Sequence, residues 1–179
     1  MYLNSESISA LSNYIRKHSE HIEKKIQMEL EGYPSGEDEY HADDLEPSRV
    51  FIKNLIIDDC GMKDLDFSKL LEAIGLQNRL KSINYINNEF GPHSLKALQE
   101  ILWKQKPEVL QSYQKFEPLE VLKFANLKCT LLVTQELLQT IDETSTIRPL
   151  KKLKLSDFNF NETNSMYYLN SLFASNPGL

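Results

Sequence analysis

Apolar residues in the stretch LKKLKLSDFNF, residues 150–160, are separated by steps of three, two, three and two. An α-helix has apolar steps of three and four and a half-buried strand has steps of two, so neither element alone produces this spacing. The same offsets start again at Ile52, Leu80 and Leu119, which places successive starts 28, 39 and 31 residues apart. A spacing that recurs at such intervals predicts a repeated structural unit.

The second half of each unit contains apolar residues at helical spacing, which predicts a helix with one buried side. They are Leu70, Leu71 and Ile74 in the first unit, Leu98, Ile101 and Leu102 in the second, Leu137, Leu138 and Ile141 in the third, and Leu169 and Leu172 in the fourth. Each unit is therefore expected to be a strand followed by a helix, stacked on its neighbours so that they bury a shared core.

The pattern L-x-x-L-x-L-x-x-N/C-x-L, followed by a helix, resembles the ribonuclease-inhibitor-like class of leucine-rich repeat proteins over roughly residues 50–179. This resemblance implies an α/β fold. The expected architecture is a leucine-rich repeat solenoid, with a short curved parallel sheet on the concave side and helices on the convex side.

The resemblance also implies a hydrogen-bond ladder at the Asn/Cys position of the pattern, which Cys60 and Asn88 occupy in the first two units. Leu127 and Phe158 stand there in the last two units, and their side chains cannot form the ladder. The neighbouring Asn126 and Asn159 are the candidates to replace them.

Apolar residues also recur at helical spacing before the repeats, at Ile8, Leu11, Ile15, Ile22, Ile26 and Leu30. Asn4 or Ser5 is placed to cap the start of this helix. We divide the chain into a helix over residues 1–31, an acidic linker over 32–48 and the repeats over 49–179. The helix is expected either to cap the first repeat, which an open solenoid requires, or to dock on another chain.

The net charge of −6 belongs to one short segment. Residues 31–46 carry seven acidic side chains and no Lys or Arg, and the rest of the chain holds 19 acidic against 20 basic residues. A nucleic-acid-binding domain would usually show a basic stripe, so we expect no nucleic acid partner. No apolar run approaches the roughly 20 residues that span a bilayer, so we expect no membrane partner either.

The unit that starts at Leu80 carries an insertion. Its helix begins at Gly91 and Pro92, with proline at a favourable first position, and Pro107 interrupts it. Trp103 and Tyr113 lie in or beside the insertion. They are expected either to pack against a neighbouring helix or to form an exposed aromatic contact for a partner.

Motifs for chemistry are missing from the sequence. Phosphate-binding glycine loops, the G-x-S-x-G nucleophile turn and the H-E-x-x-H metal motif do not occur. Cys60 and Cys129 are too few for a disulfide framework, which favours a reducing, cytoplasmic location. His18 and His21 share a helix side without two further ligands at a recognisable spacing. We therefore predict no catalytic residue, no cofactor and no metal site, and we do not expect an enzyme.

Without such motifs, the candidate functional feature of the sequence is a surface that binds a partner. If the strands stack in register, the residues that face away from the core form columns across the four repeats. The predicted partner-binding residues on this concave face are Asn54, Ile56, Asn84, Ile86, Lys123, Lys152 and Lys154.

The resulting hypothesis is a non-catalytic protein–protein interaction or scaffold subunit of a larger intracellular assembly. Similar repeats occur in cytoskeletal and axonemal complexes, so a cytoskeletal or ciliary setting is included in the hypothesis. The alternative is a regulator of a small GTPase, similar to Ran GTPase-activating proteins. Leu179 follows Leu150 by 29 residues without a polar cap, so either further chain or a partner is expected to cover that edge of the solenoid.

Overall fold

The computed structural model describes residues 4–30, 51–77, 79–103, 119–145, 150–158 and 163–175. Within these ranges, strands and helices alternate after an N-terminal helix. The elements are α1 (Ser5–Leu30), β1 (Asn54–Asp58), α2 (Asp64–Gly75), β2 (Ser82–Ile86), α3 (Pro92–Trp103), β3 (Val121–Ala125), α4 (Leu131–Ser145), β4 (Lys152–Ser156) and α5 (Thr163–Ser175). The linker at 32–48, the end of the insertion with Tyr113, and Asn159 lie outside the described residues.

The four strands form one parallel sheet in the order β1-β2-β3-β4. Each strand pairs with the next over its whole length, and the pairs follow the repeat offsets: Asn54 pairs with Ser82, Ser82 with Val121, and Val121 with Lys152. Consecutive parallel neighbours with a helix in every crossover place those helices on one side of the sheet. The predicted register is confirmed, and the arrangement fits a leucine-rich-repeat-like α/β fold.

The core lies between the sheet and the helices, and its centre is aromatic. Tyr85 and Phe124 point inward from β2 and β3, where they meet Phe67 of α2 and Phe90, and all four side chains are fully buried. The rings of Phe67 and Tyr85 stack with centroids 3.8 Å apart. The Tyr85 hydroxyl donates to the Glu89 carbonyl oxygen at 2.8 Å, and burial raises the pKa of this phenol above its ordinary value.

The strand at the end of the sheet is less covered than the others. Leu153 and Leu155 of β4 face the core as predicted but are only half-buried, whereas Leu122 and Phe124 of β3 are fully buried. Both β1 and β4 are outer strands of the described sheet, but the inward residue Ile57 of β1 is buried, whereas both inward leucines of β4 are half-buried. Packing in the core therefore weakens from β3 to β4.

The predicted ladder forms at Asn88. Its Oδ1 atom accepts the backbone N–H groups of Cys60 at 3.2 Å and Met62 at 2.9 Å, which joins the first two repeats. In the next repeat Leu127 is buried, and backbone hydrogen bonds connect Lys128 with the carbonyl of Asn88 and the N–H of Phe90.

The prediction that Asn126 replaces the ladder is wrong. Its side-chain amide donates to Asn87 Oδ1 at 2.7 Å. The amide thus joins two side chains at the exposed end of the sheet and does not reach a buried backbone group.

Helix α1 begins as predicted, with the Ser7 N–H donating to Asn4 Oδ1 at 2.8 Å. It packs against α2, and the Ser5 hydroxyl donates to Asp66 Oδ2 at 2.7 Å. The inward orientation expected for Leu11 is wrong, because that side chain is 44% exposed. The buried side of α1 contains Ser12 and Ser19 beside Ile8 and Ile15, and small serines allow the two helices to approach closely.

Within the described residues, no helix is long and apolar enough to cross a membrane.

Candidate protein-docking face

The side of the sheet opposite the helices is a surface of alternating strand residues, which we call the open face. Parallel pairing sets these residues in rows that cross all four strands. It consists of Asn54, Ile56 and Asp58 of β1, Ser82, Asn84 and Ile86 of β2, Val121, Lys123 and Ala125 of β3, and Lys152, Lys154 and Ser156 of β4.

The structure brings together all seven residues predicted for the concave face. Their side chains are exposed or half-buried, whereas the alternate residues of β2 and β3 are buried. Trp103 is not part of this group, because it ends α3 in the helical layer, where it is 38% exposed. That these residues bind a partner stays a prediction.

The β1–β3 part of the open face has an apolar character. Ile56 is 69% exposed at the centre of β1, and Ile86, Val121 and Ala125 are half-buried on the neighbouring strands. The polar neighbours include Asn54, whose Oδ1 accepts the Ser82 hydroxyl at 2.7 Å across the two strands. An exposed apolar residue with polar groups around it is compatible with the apolar centre and polar rim of a protein interface.

The β3–β4 part of the open face is basic. Lys123 and Lys154 are directly paired across the two strands, and Lys152 lies two residues before Lys154 on the same face. We call these three residues the lysine cluster. The open face therefore changes from apolar and acidic at β1 to basic at β4.

A row of Asn and Asp residues ends the four strands and borders the open face. Asp59, Asn87, Asn126 and Asp157 all have positive φ angles, between 46° and 62°. Each of the first three donates its backbone N–H to a carbonyl of the next strand at 3.1 Å. Asn87 also donates its side-chain amide to Asp58 Oδ1 at 2.8 Å. The positive φ angles of this row were not predicted from the sequence. The signal was an Asn or Asp at the same offset in every repeat, since these are the non-glycine residues that best tolerate positive φ.

The two cysteines and His18 make local contacts in the described residues. Cys60 and Cys129 are free thiols, the first 3.3 Å from the Asp58 carbonyl and the second 3.4 Å from Thr134 Oγ1. His18 stacks with Tyr14, with ring centroids 6.3 Å apart. In this part of the chain, no group of three His, Cys, Asp or Glu residues could hold a metal ion.

An open cleft of about 710 Å³ lies on the helical side, between α1, α2 and α3. Its charged lining residues are Arg16, Glu20, Lys69, Glu72, Lys96 and Glu100. Arg16 and Glu72 approach to 3.8 Å across the cleft. Three basic and three acidic residues line the cleft, so their formal charges balance.

The similarity of this chain to known proteins lies in structure and not in sequence. No family model and no curated protein matches the chain. The structure titled leiomodin-1 actin-binding site 2 is similar at 17% sequence identity, with a TM-score of 0.46. The match covers 70% of this chain and 64% of the leiomodin chain, which is less than two thirds of its length.

Proposed function

We propose that the chain is a short leucine-rich repeat solenoid of the ribonuclease-inhibitor-like class, and a non-catalytic interaction or scaffold subunit of a larger intracellular assembly. A protein partner docks on the open face. The observation that carries this proposal is Ile56, 69% exposed at the centre of a strand held in register with three others. The repeat resemblance supports a cytoplasmic setting, in the cytoskeleton or the cilium.

The rigidity of the open face supports docking. Each of its strands is hydrogen-bonded to its neighbours, and its inward side chains belong to one continuous core. Binding on such a surface orders little additional backbone, so less of the contact energy is lost to conformational entropy. A hydrogen-bonded sheet surface with an apolar centre and polar surroundings suits a folded protein partner.

A matched pair of substitutions tests the proposal. Ile56 and Leu132 are large aliphatic residues with 69% and 63% exposure, the first on the open face and the second on α4 in the helical layer. Tagged protein carrying Ile56→Asp or Leu132→Asp is purified from the cells that produce it, and the recovered proteins are quantified against wild type. Ile56→Asp is expected to reduce recovery of the stoichiometric partner by about tenfold or more, because hot-spot substitutions exceed about 2 kcal/mol. Leu132→Asp is expected to leave recovery unchanged.

Two results would contradict the proposal. Loss of the partner with Leu132→Asp and not with Ile56→Asp would move docking to the helices. Acceleration of GTP hydrolysis by a small GTPase, measured with the purified chain, would favour the regulator hypothesis over a non-catalytic scaffold.

A further inference from the structure

The lysine cluster concentrates positive charge on one end of the open face. Lys123 and Lys154 are register partners on adjacent strands, which are about 4.8 Å apart, and Lys152 and Lys154 are two strand positions apart, about 6.6 Å. Like charges directly opposite each other on a sheet are destabilising. The arrangement therefore costs stability in the isolated chain.

Neighbouring acidic groups do not offset this repulsion. Lys151, next to the cluster, has its own partner in Glu120, with Nζ and Oε1 2.7 Å apart. Among the residues that the structure describes, no carboxylate forms a salt bridge with Lys123, Lys152 or Lys154. Asp157 follows the end of β4 at a turn of the backbone and forms no salt bridge with the lysine cluster in the described residues.

Protection of a sheet edge explains only part of the cluster. Lysines on an outer strand prevent unwanted strand pairing, and β4 is an outer strand of the described sheet. That role accounts for Lys152 and Lys154. It does not account for Lys123, because β3 lies between β2 and β4 and has no free edge.

We infer that the lysine cluster binds an acidic, extended segment of the protein partner. The inference rests on the proposed function, since it names the chemistry of the ligand that the same face binds. Carboxylates at alternate residues of an extended chain repeat at about 6.6 Å, which matches the spacing of Lys152 and Lys154. The adjacent apolar residues Ile86 and Val121 and the small number of cations favour a polypeptide over nucleic acid, which binds to longer basic stripes.

The test uses fluorescent hexaglutamate as the probe and fluorescence polarisation at low salt as the readout. The triple variant Lys123→Gln, Lys152→Gln, Lys154→Gln removes the cluster. The matched control Lys17→Gln, Lys69→Gln, Lys96→Gln removes the same charge from the helices. The cluster variant is expected to bind hexaglutamate about tenfold more weakly than wild type, equivalent to about 1.4 kcal/mol. The control is expected to bind within about twofold of wild type, and wild-type binding is expected to weaken at high salt.

Equal weakening in both triple variants would overturn the inference, because binding would then follow total charge. Absence of hexaglutamate binding to wild type would also overturn it. If a single-stranded oligonucleotide of equal charge binds more tightly than hexaglutamate, the lysine cluster would be a nucleic-acid site and the inference would also be overturned. If hexaglutamate fails while Ile56→Asp still abolishes partner recovery, the proposed function stands and only the acidic ligand is wrong.

Discussion

The Asn and Asp residues at the ends of the four strands fix where the chain leaves the sheet. Their positive φ angles turn the backbone out of the extended conformation at the same point in each repeat. Asn87 illustrates how the row is connected, since its N–H donates to the Ala125 carbonyl and its side chain contacts both Asp58 and Asn126. Backbone conformation and side-chain hydrogen bonds therefore act together at one residue.

Two substitutions at Asn87 separate these contributions. Asn87→Ala removes the side-chain hydrogen bonds and places a residue that disfavours positive φ at 56°, so we expect a loss of roughly 1–2 kcal/mol. Asn87→Gly removes the same hydrogen bonds but adopts positive φ easily, and it should be more stable than the alanine variant. Urea unfolding measures both free energies. Equal losses in the two variants would show that the positive φ angle contributes little to stability at this residue.

Adjacent elements are joined by one carboxylate, Asp64, at the start of α2. It accepts the backbone N–H groups of Gly91 and Ser94 at 2.8 Å and of His93 at 3.1 Å, so it caps the first turn of α3 from the preceding repeat. A Cβ atom on Gly91 would lie 2.7 Å from the Asp64 carboxyl carbon, which explains the glycine at that position. Burial opposes ionisation, but hydrogen bonds from Ser94, His93 and Gly91 outweigh it and hold the pKa of Asp64 below its ordinary value.

Removing this charge should weaken the junction between α2 and α3. Asp64→Asn is expected to lose about 1–3 kcal/mol at neutral pH, because charge-assisted hydrogen bonds to a helix N-terminus are replaced by weaker ones. Since the pKa of Asp64 is lower in the folded chain, its stabilisation is complete above the ordinary carboxyl pKa and disappears as the pH falls through the folded value. The difference between variant and wild type should therefore shrink in acid.

Urea unfolding over a pH series measures this effect, with Glu100→Gln as the control. Glu100 is an exposed carboxylate on α3, so Glu100→Gln removes one negative charge while the cap that Asp64 provides stays in place. An Asp64→Asn difference that stays constant from neutral to strongly acidic pH would contradict the role of the ionised carboxylate.

At the scale of the whole molecule, sequence periodicity predicted the sheet because core-facing residues repeat at every stacked strand. The seven open-face residues followed from the same register. The orientation of Leu11 was not predictable, because which side of α1 is buried depends on the surface of α2 that it meets. The capping role of Asp64 was missed because Asp64 and Ser94 are 30 residues apart and meet only after two repeats have stacked.

The sequence alone did not indicate whether a partner docks on the open face or on the helices, because exposed apolar residues occur on both. Ile56 lies on a sheet with fixed register, whereas Met166, Tyr167 and Phe173 lie on α5. The strand pairing confirms the register that places the basic residues at the β4 end of this face. The lysine cluster and Ile56 share one face, so apolar and electrostatic contacts are available to a single partner.

Site-specific photo-cross-linking inside the producing cells tests most directly that the open face docks a protein. A photoreactive benzoyl-phenylalanine replaces Ile56 in one variant and Tyr167 in the other, two positions with 69% and 68% exposure. Illumination is expected to give a discrete cross-linked protein adduct from position 56, and none of comparable yield from position 167. A discrete adduct from position 167 together with none from position 56 would contradict docking on the open face.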